Sequence, residues 1–271
     1  MKPFAETAAA IAADAGSLLR YYFERRVPFE MKGDFDLVTE ADKASEKLVV
    51  ERLRQAFPDH AIVAEEGGGQ ETKSDYRWYV DPLDGTTNFA HSYPVWNVTL
   101  ALEKAGELIA GVVFNPVRNE MFAAERGSGA FLNSRRIQVS GVNNVADGLF
   151  CTGFPNHNRR TNPNIHYFHQ LAMSSHGVRR SGSAAVDLAD VACGRLDAFW
   201  EFGLSPWDMA AGILLVEEAG GLCTDLAGRN HHLRSPHVLA DNGRVHAPLL
   251  AVFGEIANGK LRHDMPVPTP L

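Results

Sequence analysis

The sequence predicts a mixed α/β fold in which sheets and helices are stacked as layers. Two observations support this prediction: the first half of the chain has helical patterns followed by a run of strands, and the second half alternates strand and helix. Because 271 residues are many for one simple domain and few for two independent ones, we expect two halves that pack together. We predict an α+β half over residues 1–145 and an α/β half over residues 146–271.

The N-terminal half is predicted to begin with two amphipathic helices. Apolar residues recur at helical spacing over residues 4–23, and acidic residues interrupt them, which is not typical of a signal peptide. Thr39 and Asp42 have the spacing of a capping box, so a second helix is expected to begin there and to stop at Pro58. A short apolar run over residues 61–64 then predicts a strand.

A glycine-rich segment, residues 67–70, follows two acidic residues. Consecutive glycines do not hold regular structure cheaply, which predicts a mobile loop and a candidate active-site flap. From residue 95 to about residue 131, apolar and polar residues alternate, and this pattern predicts several strands.

The C-terminal half is predicted to alternate strands and helices. Strands are expected over residues 148–152 and 196–202, and a helix over residues 183–194. A further helix is expected to begin at Pro206 and to end at Gly220, since proline favours the first turn of a helix and glycine its end.

Charge and composition exclude several classes of function. The net charge of −7 argues against a nucleic acid as the primary ligand, because nucleic-acid surfaces are normally basic. No apolar run approaches the roughly 18 to 20 residues of a membrane span. The three cysteines are widely spaced in apolar surroundings, which is typical of reduced thiols in a cytoplasmic protein.

The most informative segment, residues 81–88, reads Asp-Pro-Leu-Asp-Gly-Thr-Thr-Asn. Its carboxylates, Asp81 and Asp84, follow an apolar strand, and oxygen ligands suit Mg²⁺. Gly85 and Thr86 then expose backbone N–H groups at a predicted helix start, which suits an anion. A site for a divalent metal together with a phosphate predicts phosphoryl chemistry.

A simpler interpretation exists for either aspartate alone, because an acidic turn can merely cap the next helix. The full segment is more specific, since it combines a metal-binding with an anion-binding feature. Leu83 lies between the two carboxylates, so its backbone carbonyl is placed to act as a further oxygen ligand.

This segment resembles the signature of the inositol monophosphatase family of Mg²⁺-dependent, lithium-sensitive phosphatases. Two further blocks resemble signatures of the same family and stand in the same order, residues 36–42 (Asp-Leu-Val-Thr-Glu-Ala-Asp) and residues 206–212 (Pro-Trp-Asp-Met-Ala-Ala-Gly). The chain is most similar to the bacterial branch, to which residues 180–188 and 217–221 also correspond. The resemblance covers nearly the whole chain. It implies a layered αβαβα sandwich of the inositol monophosphatase or sugar phosphatase type, and a homodimer.

The resemblance also implies a metal site that binds two or three Mg²⁺ ions. The implied ligands are the carboxylates of Glu65, Asp81, Asp84 and Asp208 and the backbone carbonyl of Leu83. Glu65 would also contact the attacking water. The Thr86 hydroxyl would orient that water, and Asp42 would hold the Thr86 hydroxyl. This role of Asp42 competes with its role in the capping box, and we favour the catalytic role.

Charge repulsion supports the presence of metal in such a site. Four carboxylates in one cleft would repel one another and raise their pKa values unless cations neutralise them. Bound metal is therefore expected to stabilise the fold as well as to enable catalysis.

The substrate contacts implied by the resemblance come from both halves of the chain. Glu201 would accept hydrogen bonds from substrate hydroxyls, although a salt bridge to a nearby arginine is an alternative. Arg180 is a structural ion-pair partner, a subunit-contact residue or a substrate contact. The remaining implied contacts line the ring or the phosphate, and they are Asp84, Gly85, Thr86, Gly182, Ser183, Ala184 and Asp208.

The expected function is hydrolysis of a small polyol phosphate, with myo-inositol monophosphate favoured. Related phosphatases that act on fructose 1,6-bisphosphate, histidinol phosphate or 3′-phosphoadenosine phosphates are the first alternative. A regulatory or scaffold role alongside catalysis is the second. The complete set of acids argues against a protein that has lost catalysis.

Overall fold

The computed structural model describes residues 3–33, 36–154, 160–230 and 232–265. The elements of the N-terminal half are, in chain order, α1 (Pro3–Arg25), β1 (Phe29–Gly33), β2 (Asp36–Thr39), α2 (Glu40–Ala56), β3 (Ala61–Ala64), β4 (Tyr76–Asp84), α3 (Thr86–Ala90), β5 (Asn97–Lys104), β6 (Glu107–Asn115), β7 (Glu120–Glu125), β8 (Gly129–Leu132) and β9 (Arg135–Arg136).

The C-terminal half begins after a short 3₁₀ turn, Val145–Asp147. Its elements are, in chain order, β10 (Leu149–Thr152), α4 (Asn164–Ala172), β11 (Gly177–Arg179), α5 (Ala184–Ala192), β12 (Ala198–Phe202), α6 (Pro206–Glu218), β13 (Leu222–Thr224), β14 (His237–Asp241) and α7 (His246–Ala257).

Two sheets organise these elements. In the described ranges the first sheet has the strand order β3-β4-β5-β6-β7-β8-β9, with β3 and β4 parallel and the other pairs antiparallel. Over the same residues the second sheet has the order β11-β10-β12-β14-β13, with β10 parallel to both of its neighbours. Strands β1 and β2 form a separate antiparallel hairpin.

Helices cover both faces of each sheet and complete five layers. Helices α1 and α2 share a core with one face of the first sheet. Helices α5 and α6 lie between the sheets in a core to which both sheets contribute. Helices α4 and α7 pack on the outer face of the second sheet. The predicted αβαβα sandwich is thus confirmed, and the two halves share the central core.

The central layer explains an unusual feature of the sequence. Helix α6 is apolar on almost every side because it contacts other elements all round, and its residues 209–216 are all buried. Close packing requires small residues here. A Cβ added at Gly111 in β6 would lie 3.0 Å from the Cα of Ala211, so glycine allows the sheet to approach the helix.

The structure also contains elements for which the sequence patterns made no prediction. The two outer helices, α4 and α7, are the largest of these. Helix α7 is rich in apolar residues, which weakens its helical periodicity, and Pro248 lies within its first turn. In the described ranges no helix is long and apolar enough to cross a membrane.

Candidate active site

One cleft lies where β4, α3, α5, β12 and α6 converge. Its lining includes every site residue predicted from the sequence except Asp42, namely Glu65, Asp81, Leu83, Asp84, Gly85, Thr86, Gly182, Ser183, Ala184, Glu201 and Asp208. Residues that are more than 100 positions apart in the chain are thus brought together between the two halves.

The end of β4 places the first carboxylates. The pairing of β4 with β5 shifts in register between Asp81 and Asp84 and resumes where Asp84 lies opposite Asn97. Asp81 is buried, and its Oδ1 accepts the N–H of Leu83 at 3.0 Å. Gly85 follows with a φ of 91°, and an added Cβ would lie 2.9 Å from the Val95 carbonyl oxygen. A side chain at position 85 is therefore excluded by both conformation and space.

Asp84 is held by donors from both halves of the chain. Its Oδ2 accepts hydrogen bonds from Asn97 Nδ2 at 2.9 Å, Ser183 Oγ at 2.6 Å and the N–H of Ala185 at 3.0 Å. Ser183 is also the N-cap of α5. The same carboxylate therefore fixes the start of α5 against the first sheet. The family resemblance implied Ser183 as a substrate contact, and the structure adds this role for its hydroxyl.

Asp42 lies behind Thr86 and divides its two oxygens between two tasks. Its Oδ1 accepts the Thr86 hydroxyl at 2.9 Å. Its Oδ2 accepts the N–H of Thr39 at 2.7 Å and the Thr39 hydroxyl at 2.6 Å, which completes the capping box of α2. The expectation that these roles compete was therefore wrong, because a carboxylate has enough lone pairs for both.

The segment after Glu65 is a loop held by hydrogen bonds, and these bonds do not support the predicted mobile flap. Buried Glu46 accepts the N–H groups of Glu66 and Gly68, each at 2.7 Å. Ile62 and Gln70 exchange backbone hydrogen bonds of 2.7 and 2.8 Å across the base of the loop. Glycine is needed here for close backbone approach, since a Cβ at Gly69 would collide with the Ile62 carbonyl.

Asp208 reaches the cleft from the first turn of α6. Its Oδ2 accepts the N–H of Ser205 at 2.7 Å, so this carboxylate also caps its helix. Burial raises the pKa of Asp208 well above its ordinary value, and the nearby carboxylates of Asp84 and Glu65 add to this effect. The pKa of Asp81 is raised well above its ordinary range for the same reasons, with burial as the largest cause.

The cleft carries two more buried carboxylates, Asp187 and Glu201. Burial is the main cause that raises the pKa of each well above its ordinary value. The Arg180 guanidinium acts in the opposite direction and lowers both pKa values, with a smaller effect than burial. Gly153 packs directly on Glu201, because an added Cβ would collide with the Glu201 carboxylate.

The oxygen donors suit hard divalent cations. Among the described residues, no group of three or more His, Cys, Asp or Glu side chains is arranged as a ready-made cage for a metal ion. Mg²⁺ does not require such a cage, since it is usually held by one or two carboxylates together with waters and substrate phosphate. The residues present therefore fit Mg²⁺ by donor type.

Several residues of the site were missed by the sequence patterns. They are Glu46, Asn97, Gly153 and Asp187. A signal existed for Glu46, which lies at helical spacing on the same face as Asp42 and buried Val49. No local pattern marks Gly153, because its role depends on a side chain from another strand.

Comparison with known proteins places this site in a family of phosphatases. The sequence model of the inositol monophosphatase family matches residues 1–257. The chain therefore belongs to the inositol monophosphatase family.

Individual relatives carry two kinds of name. The chain is 46% identical over 261 residues to a protein named Nus factor SuhB from Pseudomonas aeruginosa, covering 93% of this chain and 96% of the relative. It is 49% identical over 217 residues to an inositol-1-monophosphatase from Synechocystis, covering 79% and 75% respectively.

A solved structure agrees with the fold. The crystal structure of the extragenic suppressor protein suhB from Bartonella henselae matches with a TM-score of 0.88 at 39% identity, covering 92% of this chain and 97% of that one. The layered fold of this chain is therefore that of the inositol monophosphatases and SuhB proteins.

Proposed function

We propose that the protein hydrolyses the phosphate monoester of a small polyol in the presence of Mg²⁺, with myo-inositol monophosphate as the favoured substrate. The observation that carries this proposal is the convergence of Glu65, Asp81, Asp84 and Asp208 on one cleft with the bonded pair of Thr86 and Asp42. Two or three Mg²⁺ ions would offset the repulsion among the carboxylates.

The metal ions would be held by the four carboxylates and by the carbonyl of Leu83. When bound, Mg²⁺ acidifies a coordinated water and stabilises the oxygen that leaves phosphorus. A bound cation would favour the ionised form of these carboxylates, whereas burial and the neighbouring carboxylates raise the pKa values of Asp81 and Asp208. Glu65 lies beside Asp81 and contributes to the raised pKa of that residue.

Thr86 has the geometry to orient the attacking water. Its hydroxyl oxygen lies 2.9 Å from Asp42 Oδ1 and 3.1 Å from the Leu83 carbonyl oxygen, and its one hydrogen is donated on this side. Because that hydrogen is directed at these acceptors, the oxygen lone pairs of Thr86 face away from them and can accept a hydrogen bond from water. Asp42 holds the hydroxyl in this orientation.

The alcohol part of the substrate would occupy the end of the cleft between Glu201 and the segment Gly182–Ala184. Buried carboxyl groups accept hydroxyl hydrogen bonds when ionised and also donate when protonated, so Glu201 and Asp187 favour a hydroxyl-rich alcohol. The nearby Arg180 is placed to attract the negative charge of the substrate.

The test is phosphate release from a panel of substrates with Mg²⁺, with a chelator as the matched control. The panel comprises myo-inositol monophosphate, fructose 1,6-bisphosphate, histidinol phosphate and 3′-phosphoadenosine 5′-phosphate. We expect the highest kcat/KM for the inositol ester and no hydrolysis with the chelator. A nucleotide that is hydrolysed far better would contradict the choice of alcohol, and activity that persists in the chelator would contradict the proposed mechanism.

A regulatory role alongside catalysis is the second candidate, because the relative from Pseudomonas aeruginosa is named a Nus factor. The variant Asp81→Asn separates the two functions, since it removes a proposed metal ligand deep in the cleft and leaves the surface unchanged. If this variant restores normal growth to cells that lack the protein, the regulatory role does not need hydrolysis. If it does not, hydrolysis is the function that the cell requires.

We also propose that the protein is a cytoplasmic homodimer. The family resemblance supports the dimer, and the widely spaced cysteines support a reducing compartment. Light scattering coupled to size exclusion would measure the mass in solution. A mass near the 29.7 kDa of one chain would contradict the dimer.

A further inference from the structure

Helix α2 buries polar side chains on the face that it turns towards the active site. Asp42, Ser45 and Glu46 occupy its first two turns and are at most 5% exposed, and the same face continues with the apolar Val49 and Leu53. Residues at this spacing share one side of a helix. Burying a carboxylate is costly unless hydrogen bonds compensate, so the partners of these three side chains explain why they are there.

Glu46 holds the backbone directly after Glu65. The peptide that joins Glu65 to Glu66 donates its N–H to Glu46 Oε2 at 2.7 Å, and the N–H of Gly68 donates to Oε1 at 2.7 Å. On its other side, Glu65 donates its own N–H to the Val80 carbonyl at 3.2 Å. The backbone of Glu65 is therefore bracketed by two contacts, of which the one to Glu46 is charge-assisted and short.

Ser45 holds the second segment of the cleft. Its hydroxyl is fully buried and donates to the carbonyl of Pro82 at 2.8 Å. Pro82 joins Asp81 to Leu83, so this bond anchors the end of β4, which carries three of the proposed metal ligands, Asp81, Leu83 and Asp84. Together with the bond from Thr86 to Asp42, one helix face makes three contacts with two segments of the site, residues 65–68 and 81–88.

We propose that Glu46, assisted by Ser45, is a positioning residue that sets the distance between Glu65 and Asp81 for metal binding. The inference rests on the proposed function, in which these two acids hold Mg²⁺. A helix is rigid over two turns, so contacts made from positions 45 and 46 fix the segments 65–68 and 81–84 relative to each other. Residues that orient metal ligands commonly change metal affinity or activity by about 10–100-fold when they are lost.

The variant Glu46→Gln tests this role with almost no change of volume. Two N–H groups face the carboxylate, and an amide offers one acceptor oxygen and one donor group, so one of the two bonds must be lost. Glu51→Gln is the matched control, because it is the same substitution at an exposed position of the same helix.

Two measurements report on the position of the loop and on metal binding without relying on turnover. Hydrogen exchange measures the protection of the N–H groups of Glu66 and Gly68. A thermal-shift titration measures the Mg²⁺ concentration that gives half of the maximal stabilisation. For Glu46→Gln we expect faster exchange at the position that loses its acceptor, Glu66 or Gly68, and a Mg²⁺ midpoint raised about tenfold. Glu51→Gln should match the wild type in both measurements.

Unchanged exchange in Glu46→Gln would overturn the proposal, and so would faster exchange with a Mg²⁺ midpoint within twofold of the wild type. The variant Ser45→Ala provides the second test if Glu46→Gln does not fold. We expect it to raise the Mg²⁺ midpoint about threefold to tenfold, within the lower part of the range for residues that orient metal ligands. A midpoint within twofold of the wild type would also overturn the proposal. Wild-type protein that gains no stability from Mg²⁺ would instead contradict the proposed function, while the exchange rates would still show whether Glu46 holds the loop.

Discussion

The two ends of the cleft are built in different ways. At the proposed metal end, the carboxylates of Asp42, Asp84 and Asp208 each accept hydrogen bonds of 2.6 to 3.0 Å from backbone or side-chain donors. At the proposed alcohol end, Glu201 is buried and lies directly against the backbone of Gly153. The contrast is therefore between Asp84, which three hydrogen bonds orient, and Glu201, whose space is limited by a close backbone approach.

This difference has a consequence for function. Hydrogen bonds to a carboxylate fix the direction of its lone pairs, which metal binding requires, and several bonds must break before the group can turn. A carboxylate that is confined by shape can be moved by one added methyl group. We therefore expect substitutions at the metal end to abolish the chemistry, and small substitutions at the alcohol end to change the preferred alcohol.

The largest effect is expected for Asp81→Asn. Loss of a proposed metal ligand removes several kcal/mol of transition-state stabilisation, so kcat/KM should fall by about 10³-fold or more. The fold should survive, because a neutral amide is easier to bury than a carboxylate. Phosphate release and circular dichroism measure the two properties, with exposed Asp147→Asn as the control. Activity close to wild type would refute the metal assignment.

Thr86→Val should have the next largest effect. Valine keeps the shape of threonine and removes the hydroxyl that faces Asp42. Because that hydroxyl is proposed to orient water and not to bind substrate, kcat should fall by about 10²-fold with little change in KM. Thr87→Val makes the same substitution at the exposed neighbouring position that also lines the cleft. An equal loss in both variants would argue against a special role for Thr86.

Gly153→Ala tests the alcohol end. The added methyl group must displace the Glu201 carboxylate, so kcat/KM for a polyol phosphate should fall about tenfold, equivalent to about 1.4 kcal/mol. Hydrolysis of an aryl phosphate, which has no polyol hydroxyls, should change by less than about twofold. Gly141→Ala is the control, because an added Cβ there has nothing within 4 Å. Equal losses for both substrates would show that the two ends are not separable.

The smallest effect concerns stability and pH in the absence of metal. The folded-state pKa values of Asp81, Asp208 and Glu201 are raised, so these groups stabilise the fold while protonated. That stability is complete below the unfolded-state pKa of about 4 and is lost as pH rises through the folded-state values. In chelator, we expect Tm to fall by a few degrees between pH 5 and pH 8.

Metal and mutation provide the controls for this pH dependence. Saturating Mg²⁺ should reduce the fall of Tm, because the ions neutralise the carboxylates. Asp81→Asn should also show a smaller fall in chelator, since one of the titrating groups is gone. An identical slope for wild type and variant, with and without Mg²⁺, would show that the buried acids do not control stability in this range.

Much of the site could be predicted because its residues lie in short, local motifs. The segment 81–88 contains two carboxylates, a glycine with positive φ and a hydroxyl in consecutive turns of one chain segment. The capping box at Thr39 and Asp42 is also local, and it correctly located the start of α2. Such features depend on spacing along the chain, which the sequence displays directly.

Other features depend on which elements meet in space, and local patterns do not contain that information. The glycines of residues 67–70 predicted mobility, whereas Glu46 on α2 binds the loop from a position about 20 residues earlier. Asn97 donates a hydrogen bond to Asp84 because the pairing register of β4 and β5 places these two residues opposite each other. Gly153 matters only because β10 and β12 are neighbours in the second sheet.

The sequence by itself determined the types of chemical group and the local turns that carry them: hard oxygen ligands, a glycine turn and a hydroxyl in segment 81–88. Tertiary structure decided which groups share one cleft and how firmly each is held. The physical reason is the separation along the chain of the residues that interact. Capping and turn conformation involve neighbours within a few residues, whereas burial and the contacts from Ser45, Glu46 and Gly153 arise only when distant segments pack together.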